Sequence, residues 1–320
     1  MRALQIQAPG KAAIVEVEPP RPGSGEVLVQ VEAVTSCPQW DLHLMAGEQM
    51  FPEVPIQYPY PPGQPGHEAV GTVTEVGDGV RGLRLGMRVA AWRDPGHDQL
   101  GSYAEYVVRA EDDLLPVPAD LPPEALAPLE LAMCVQVSFE SLERRDAIAG
   151  QRIAIGGLGP AGLVAVQLAR VHGAAEVIGI DPVAGRRRAA HELGADRVVR
   201  PEDLPEPRHR WTGDAPFDVA IDCVGSAPSV QYLMDRTRLA VALFGVLRED
   251  VAFGWKHFIG LGLLGYGEHH RGAAEVALRH VLDGRLDLGA LVTQSMPLTD
   301  YEEGHALLGT REALKICFYL

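Results

Sequence analysis

The sequence predicts an α/β protein in which a β-rich N-terminal domain precedes a doubly wound parallel sheet. Three observations carry that prediction. The first third is rich in Val, Pro and Gly and breaks into short apolar or alternating runs. From Arg152 onward short apolar strands alternate with helical stretches. The run Gly157-Leu-Gly-Pro-Ala-Gly joins one of those strands to the helix that follows. At 320 residues the chain is long for one core, and length alone argues for about two domains.

Taken in order, strands are expected over 26–32, 69–76, 88–92 and 103–108. Turn residues such as Gly77-Asp78-Gly79 and Gly82 separate them, which reads as a barrel-like domain. The Pro-rich segment 52–65 cannot sit inside a central strand and is expected as an ordered loop. From Pro122 the apolar spacing lengthens to helical periods. A strand over 152–155, a helix over 160–172, a strand over 176–181 and a helix over 185–193 follow. Further strands are expected over 217–222 and 240–244. After Gly284 the alternation fades into a strand over 291–296 and a short helix over 300–308. No internal repeat interrupts the pattern.

Composition narrows the function. The net charge of −15 would repel a polyanion, so nucleic acid is not expected as a partner. Arg186, Arg187 and Arg188 form one basic run, and Arg208 with Arg210 a second, which reads as a solvated loop. No apolar run approaches the roughly 18 residues of a spanning helix, the best being the Gly-broken 258–266, so no membrane segment is expected. The N-terminal residues lack a secretory pattern, and the cytoplasm is the expected location. Four cysteines, Cys37, Cys134, Cys223 and Cys317, contain no Cys-x-x-Cys pair. That argues against a disulfide framework and against a four-cysteine zinc site.

The glycine run carries the cofactor reading. It follows the apolar strand Arg152-Ile-Ala-Ile, opens the helix from Pro160 and Ala161, and precedes Asp181, which ends the next strand. Gly157 permits the tight turn, Gly159 lets backbone amides approach a pyrophosphate, and Gly162 lets helix and strand pack closely. The phosphates would sit at the positive end of the helix dipole. Asp181 can accept from both ribose hydroxyls and its charge opposes a 2′-phosphate, which favours NAD. Arg186 and Arg187 lie near enough in sequence to weaken that preference and leave NADP open.

With these residues in place, the chain resembles the medium-chain dehydrogenase/reductase family, in particular its zinc alcohol and polyol dehydrogenases. The resemblance runs through Gly25-Glu-Val-Leu-Val, Pro65-Gly-His-Glu-Ala-Val-Gly-Thr-Val, Gly86-Met-Arg-Val, Gly101-Ser-Tyr-Ala-Glu-Tyr, the cofactor loop, Asp218-Val-Ala-Ile-Asp-Cys-Val-Gly and Ala313-Leu-Lys. It implies a GroES-like catalytic domain over 1–121, completed by 288–320, and a Rossmann domain over 122–287. It implies one catalytic zinc held by Cys37, His67 and Cys134, with Glu68 beside His67 and Glu130 a competing acid near the third position. Two thiolates and an imidazole leave zinc one open position and let it lower the pKa of an alcohol before hydride leaves for nicotinamide. Asp41 would orient His67, and His43 would be the outer member of a proton relay. A homodimer or homotetramer is implied, paired through the region 253–266.

The chain departs from the family's pattern in three places. Cys37 and Asp41 are four residues apart where the family has three, and counting back from Asp41 puts Pro38 at the ligand position. Trp40 stands where a relay hydroxyl is expected, leaving Thr35, Ser36 or water as substitutes. The four-cysteine lobe after Gly86-Met-Arg-Val is missing, so no structural zinc is expected. His97 and the pair His269-His270 read as surface residues, Cys223 and Cys317 as packing, and Trp40, Phe51, Tyr58 and Tyr60 as pocket lining or loop packing. The leading expectation is a zinc-assisted, NAD-dependent alcohol or polyol dehydrogenase. A zinc-free reductase of an enone, quinone or carbonyl is the first alternative. A catalytically silent nucleotide-binding protein is the second.

Overall fold

In the computed structural model, which describes residues 1–51, 55–212 and 214–320, the alternating Val-rich runs of the first third pair into sheets. Strand β1 (Arg2–Ala8) and β2 (Lys11–Glu16) form an antiparallel hairpin that turns at Gly10, whose φ of +72° suits a residue without a Cβ. Strand β3 (Glu26–Thr35) buries Val27, Leu28, Val29, Val31, Ala33 and Val34. It is followed at once by helix α1 (Pro38–Ala46), which has Pro at its first turn and ends on Gly47 in the left-handed region. Strand β4 (Glu68–Val76) pairs with β3, β5 (Arg88–Ala91) with β4, β6 (Tyr106–Ala110) with β3 and β7 (Leu114–Pro116) with β5, all antiparallel. No regular element forms over 55–65; residues 52–54 of that Pro-rich segment lie outside the described residues.

Helix α2 (Leu129–Glu143) then leads into a second unit. There β8 (Arg152–Gly156), β9 (Glu176–Ile180), β10 (Arg197–Val199), β11 (Phe217–Asp222), β12 (Thr237–Leu243) and β13 (Gly262–Leu264) form one parallel sheet. Its order is β10-β9-β8-β11-β12-β13. Helices α3 (Pro160–Val171), α4 (Ala184–Glu192), α5 (Ala227–Met234), the short α6 (Trp255–Phe258) and α7 (Arg271–Leu282) alternate with these strands. The inner strands are buried on both faces, which is why they read as unbroken apolar runs. The strand order reverses between β8 and β11, the crevice where dinucleotides bind in open α/β sheets.

The last segment rejoins the first unit. Strand β14 (Val292–Pro297), helix α8 (Tyr301–Gly309) and strand β15 (Lys315–Tyr319) return the chain, and β15 pairs antiparallel with β3 and parallel with β14. By contacts the first unit is 1–131 with 277–281 and 287–320, the second 132–276 with 282–286. The border falls within α2 and not at the composition change near Pro122, because the helical turn at 123–125 and the start of α2 pack with the β-rich unit.

Two expectations need correcting. Pro123–Glu143 is a continuous helical stretch long and apolar enough to cross a membrane by length and composition, with 78% of its most apolar window buried within the fold. Polar residues punctuate that stretch, which hid its length in the sequence. Arg210 is not in a solvated loop: it is buried and donates to the carbonyls of Lys256, Thr237, Arg238, His257 and Ile259. A guanidinium has five donors, and five carbonyls at the end of α6 and the start of β12 make burial tolerable.

Candidate metal and dinucleotide sites

In the first unit the end of β3 and the start of β4 lie side by side, with Thr35 opposite Glu68. That register brings together Cys37, just after β3, and His67, just before β4. The ligand atoms of Cys37, His67 and Glu68 all lie within 4.8 Å of one another. Cys37 is the N-cap of α1 but makes no side-chain cap bond, so its sulfur is left to the site. The Nδ1 of His67 donates to the Pro65 carbonyl at 2.8 Å, which fixes the ring. Its Nε2 lies 3.7 Å from Oε2 of Glu130, and both side chains are buried. Burial alone would lower the His67 pKa; the hydrogen bond to Cys37 and the charges of Cys37, Glu130 and Asp94 overcome it and hold the ring well above the ordinary imidazole range. So much negative charge around one imidazole suits a divalent cation. Sulfur, nitrogen and carboxylate oxygen are donors that zinc accepts.

Glu68, a member of this group, is also tied to neighbours on its other side. Nζ of the fully buried Lys315 donates to both its oxygens at 2.6 Å, and Thr35 Oγ1 donates to it at 2.8 Å. Burial pushes the Glu68 carboxyl up, and the Lys315 charge pulls it partly back. Lys315 also donates to Ser36 O at 2.5 Å, and Ser36 Oγ accepts from the Ile316 amide at 2.9 Å. Both hydroxyls considered for the missing relay are therefore engaged with β15 or with Glu68.

Asp41 does not orient His67. Its carboxylate accepts from Tyr301 Oη at 2.8 Å and from Tyr103 Oη at 3.1 and 3.2 Å, while Pro65 O takes the His67 Nδ1 proton. The cause is the extra residue. Asp41 N donates to Cys37 O as a normal helical i to i−4 bond, so the side chain emerges a full turn into α1 and points into the core. Burial outweighs the hydrogen bonds and lifts the Asp41 pKa to about 6. His43 lies on the outer side of α1, with Gln39 Nε2 at 3.1 Å and Glu48 at 3.2 Å. His97 is no free surface residue, since it stacks on Trp40 at 3.9 Å between centroids, and Phe51 meets the same indole edge-on at 5.9 Å. Tyr58 Oη donates to Leu44 O at 2.5 Å, so this aromatic group packs the loop onto α1.

In the second unit β8 delivers the glycine turn. Gly157 has φ +82°, and a Cβ there would meet Val224 Cγ2 at 2.5 Å. A Cβ on Gly162 would strike Gly157 O at 1.9 Å, so the helix touches the turn it follows. A Cβ on Gly159 would meet nothing within 4 Å: that face is open, and Gly159 caps α3 with no side-chain bond. Pro160 opens the helix, and the half-buried Ala161 follows it. The open face and the uncapped amides form a cradle that fits a pyrophosphate. Asp181, at the end of β9, is buried; its Oδ2 accepts from Leu158 N at 2.8 Å and its Oδ1 from Val183 N at 2.7 Å. Arg186 Nη1 lies 3.8 Å from that carboxylate, whereas Arg187 binds the carbonyls of Asp181 and Pro182.

The family model of the alcohol dehydrogenase GroES-like domain matches residues 23–119, and that of the zinc-binding dehydrogenases residues 160–267. The chain belongs to the medium-chain dehydrogenase/reductase family, among its zinc-type alcohol and polyol dehydrogenases. It is 29% identical to an L-threonine 3-dehydrogenase of Pyrococcus furiosus, over 97% of this chain and 95% of the relative. A sorbitol dehydrogenase of Halalkalibacterium halodurans is 24% identical over 96% and 95%. A zinc-binding dehydrogenase of Sinorhizobium meliloti, solved bound to NADP, superposes with a TM-score of 0.84 at 27% identity, covering 100% of this chain and 99% of that one. The chain is an NAD(P)-dependent, zinc-assisted oxidoreductase of the alcohol and polyol class.

Cys134 and Glu130, the two residues weighed for the third donor position, both lie on α2. Cys134 belongs to the second unit, where its sulfur lies 3.4 Å from His269 Nε2. Glu130, one turn earlier on α2, faces His67 in the first unit. His269 and His270 are both exposed, as expected; His269 is a neighbour of Cys134, and His270 bonds Glu140. Cys223 directly follows β11 and Cys317 is buried in β15. Lys315 entered only through the closing Ala313-Leu-Lys; a lone lysine in the otherwise apolar Lys-Ile-Cys-Phe-Tyr is the signal that marks it. Nothing in the sequence marked Tyr103 and Tyr301 as partners of Asp41, since they lie 62 and 260 positions away from it.

Proposed function

We propose that this dehydrogenase holds its zinc through Cys37, His67 and Glu130 and moves hydride between an alcohol or polyol carbon and the nicotinamide of a cofactor cradled at Gly157–Gly162. The observation that carries this reading is the convergence of a thiol and a carboxylate on His67, whose other nitrogen is pinned by a backbone carbonyl. Zinc in such a site supplies Lewis acidity, which favours the ionised form of an alcohol at neutral pH. The chain's own residues do the rest. Pro65 O orients His67. Lys315 and Thr35 hold the Glu68 carboxylate. Asp41, clamped by two tyrosines, anchors the first turn of α1 and with it Cys37. With Trp40 in place of a hydroxyl, we assign proton exit to His43, which Gln39 and Glu48 flank.

The relatives' names, L-threonine and sorbitol, point to alcohols that bear a second polar group nearby. We assign the adenosine end to Asp181 and Arg186. A homodimer or homotetramer would pair at the β13 sheet edge, beside which Phe253, Trp255, Phe258, Ile259 and Tyr266 are exposed. Four free cysteines suit the reducing cytoplasm.

Metal analysis with two variants tests the ligand set. Wild type and Cys134→Ser should retain about one zinc per chain, and Glu130→Gln should weaken zinc binding by at least about tenfold. Loss of zinc in Cys134→Ser with retention in Glu130→Gln would return the third place to Cys134. Wild type active with nicotinamide but free of tightly bound zinc would favour the zinc-free reductase. Zinc-loaded protein that binds nucleotide and turns over no alcohol or aldehyde would favour the silent reading.

A further inference from the structure

The β-rich unit buries a cation that neither the metal group nor the dinucleotide cradle uses. Alternation along β6 turns Val107 and Arg109 to the inner face, so a guanidinium stands where the pattern calls for an apolar side chain. Arg109 is 4% exposed. Its Nη1 donates to Leu100 O at 3.2 Å and to Val108 O at 2.8 Å, and its Nη2 donates to Ser102 Oγ at 3.0 Å. Among the described residues it forms no ion pair. Burial pulls the guanidinium down to about 10 although the charges of Asp94 and Asp113 oppose the fall. Its desolvation is therefore not offset from within the chain.

Beside it lies a cavity of about 10 Å³, lined by Val29, Val31, Val89, Val107 and Leu114, with Ser102 and Arg109 as its polar side chains. That is room for about one water-sized particle. A guanidinium has five N–H donors, and two of them, on Nε and Nη2, have no acceptor among the described residues. The buried Ser102 hydroxyl accepts from Arg109 and donates to none of the described residues. Three donors thus stand against one spare lone pair, on Ser102. A water molecule here would have at most one acceptor for its two protons, among valine methyls that offer none. A small anion only accepts, and its charge answers the guanidinium.

We propose that this cavity binds one small monovalent anion, with chloride as its chemical type, held by Arg109 and Ser102. The anion compensates the buried cation and ties the turn at 100–102 to β6. Divalent oxyanions are too large for the space.

Urea unfolding of the full chain at fixed ionic strength, with chloride replacing gluconate, tests this. Raising chloride from about 20 to about 200 mM should multiply the folding equilibrium constant about three- to tenfold, because an ion that binds only the folded state stabilises it by mass action. Bromide should act as chloride does, and crystals grown in bromide should show an anomalous peak in contact with Arg109 and Ser102. Arg109→Met should abolish the increment, and Ser102→Ala, which keeps the cation, should shrink it. A wild-type increment under about twofold, an equal increment in Arg109→Met, or bromide absent from the cavity overturns the proposal. Should Arg109→Met not fold, an undiminished increment in Ser102→Ala overturns it equally.

Discussion

Replacing the buried Lys315 with methionine should destabilise this fold, and the cost should depend on pH. The side chains of Lys315 and Glu68 are 0% and 1% exposed, and Nζ reaches both carboxylate oxygens at 2.6 Å. Lys315→Met leaves Glu68 with one hydrogen bond, from Thr35. Stripping one partner from a buried pair costs about 3–5 kcal/mol, a large part of a typical stability of about 5–15 kcal/mol. The melting temperature should fall on the order of 10 °C. Burial already raises the Glu68 pKa against the pull of Lys315, so the variant's Glu68 should rise further and take up a proton. A carboxylate whose folded pKa exceeds its unfolded value loses stability as pH rises, so the deficit should widen from pH 5 to pH 8. Each unit of added shift contributes about 1.4 kcal/mol. Glu68→Gln/Lys315→Met removes the stranded charge and should recover most of the loss. Urea unfolding followed by circular dichroism, with and without chelator, measures all three proteins. A deficit under about 1 kcal/mol that ignores pH, or a double variant as weak as Lys315→Met, would refute the buried-charge argument.

Three further outcomes follow from the geometry. Gly162→Ala puts a methyl 1.9 Å from Gly157 O and should destabilise the second unit, while Gly159→Ala, open on that face, should keep stability within about 0.5 kcal/mol yet weaken cofactor binding. Thermal shifts with and without NADH separate the two, and equal destabilisation would count against the cradle. Burial raises Asp218, but the hydrogen bonds of Arg152 and Arg238 override it and hold the carboxyl at about 2. That stabilisation is complete above the reference value of 3.8 and is lost as pH falls through about 2. Asp218→Asn should thus cost about 1 kcal/mol at pH 7, solvent screening included, and less at pH 3 in urea titrations; a gap that grows toward low pH contradicts this. Phe258→Asp, at a side chain 83% exposed, should lower the mass seen by light scattering if copies pair at the β13 edge, and an unchanged mass places the interface elsewhere.

The Rossmann strands were legible because burial on both faces writes an unbroken apolar run, and Gly157, Gly159, Gly162 and Asp181 could be placed by local geometry alone. Strands β1 and β2 were not expected, because Lys11–Glu16 is only half-buried and lacks a sharp alternation. Strand β13 is three residues long, and its partner β12 lies some twenty positions earlier, so no local pattern announces it. Arg210 shows the converse failure. A basic loop and a buried cation that ties carbonyls from two distant segments look identical in sequence.

The metal group shows where counting residues stops being enough. Glu130 and Cys134 are four positions apart on α2, so they share a helix face and differ by one turn, about 6 Å along the axis. A spacing rule that tolerates one insertion in a loop cannot resolve one helical turn, and the proposal of Glu130 rests on the 3.7 Å between its carboxylate and His67 Nε2. The same arithmetic misled the reading of Asp41, where one added residue moved the acid onto the core face of α1 and left a backbone carbonyl to orient His67. In the proposed ligand set, exchange of thiolate for the Glu130 carboxylate would keep two formal negative charges among the donors. What would change is softness: with one sulfur in place of two, such a site would move toward oxygen-preferring metals and away from thiophilic ones. In the proposed ligand set Glu130 would therefore act on which metal the site selects as well as on how tightly it is held.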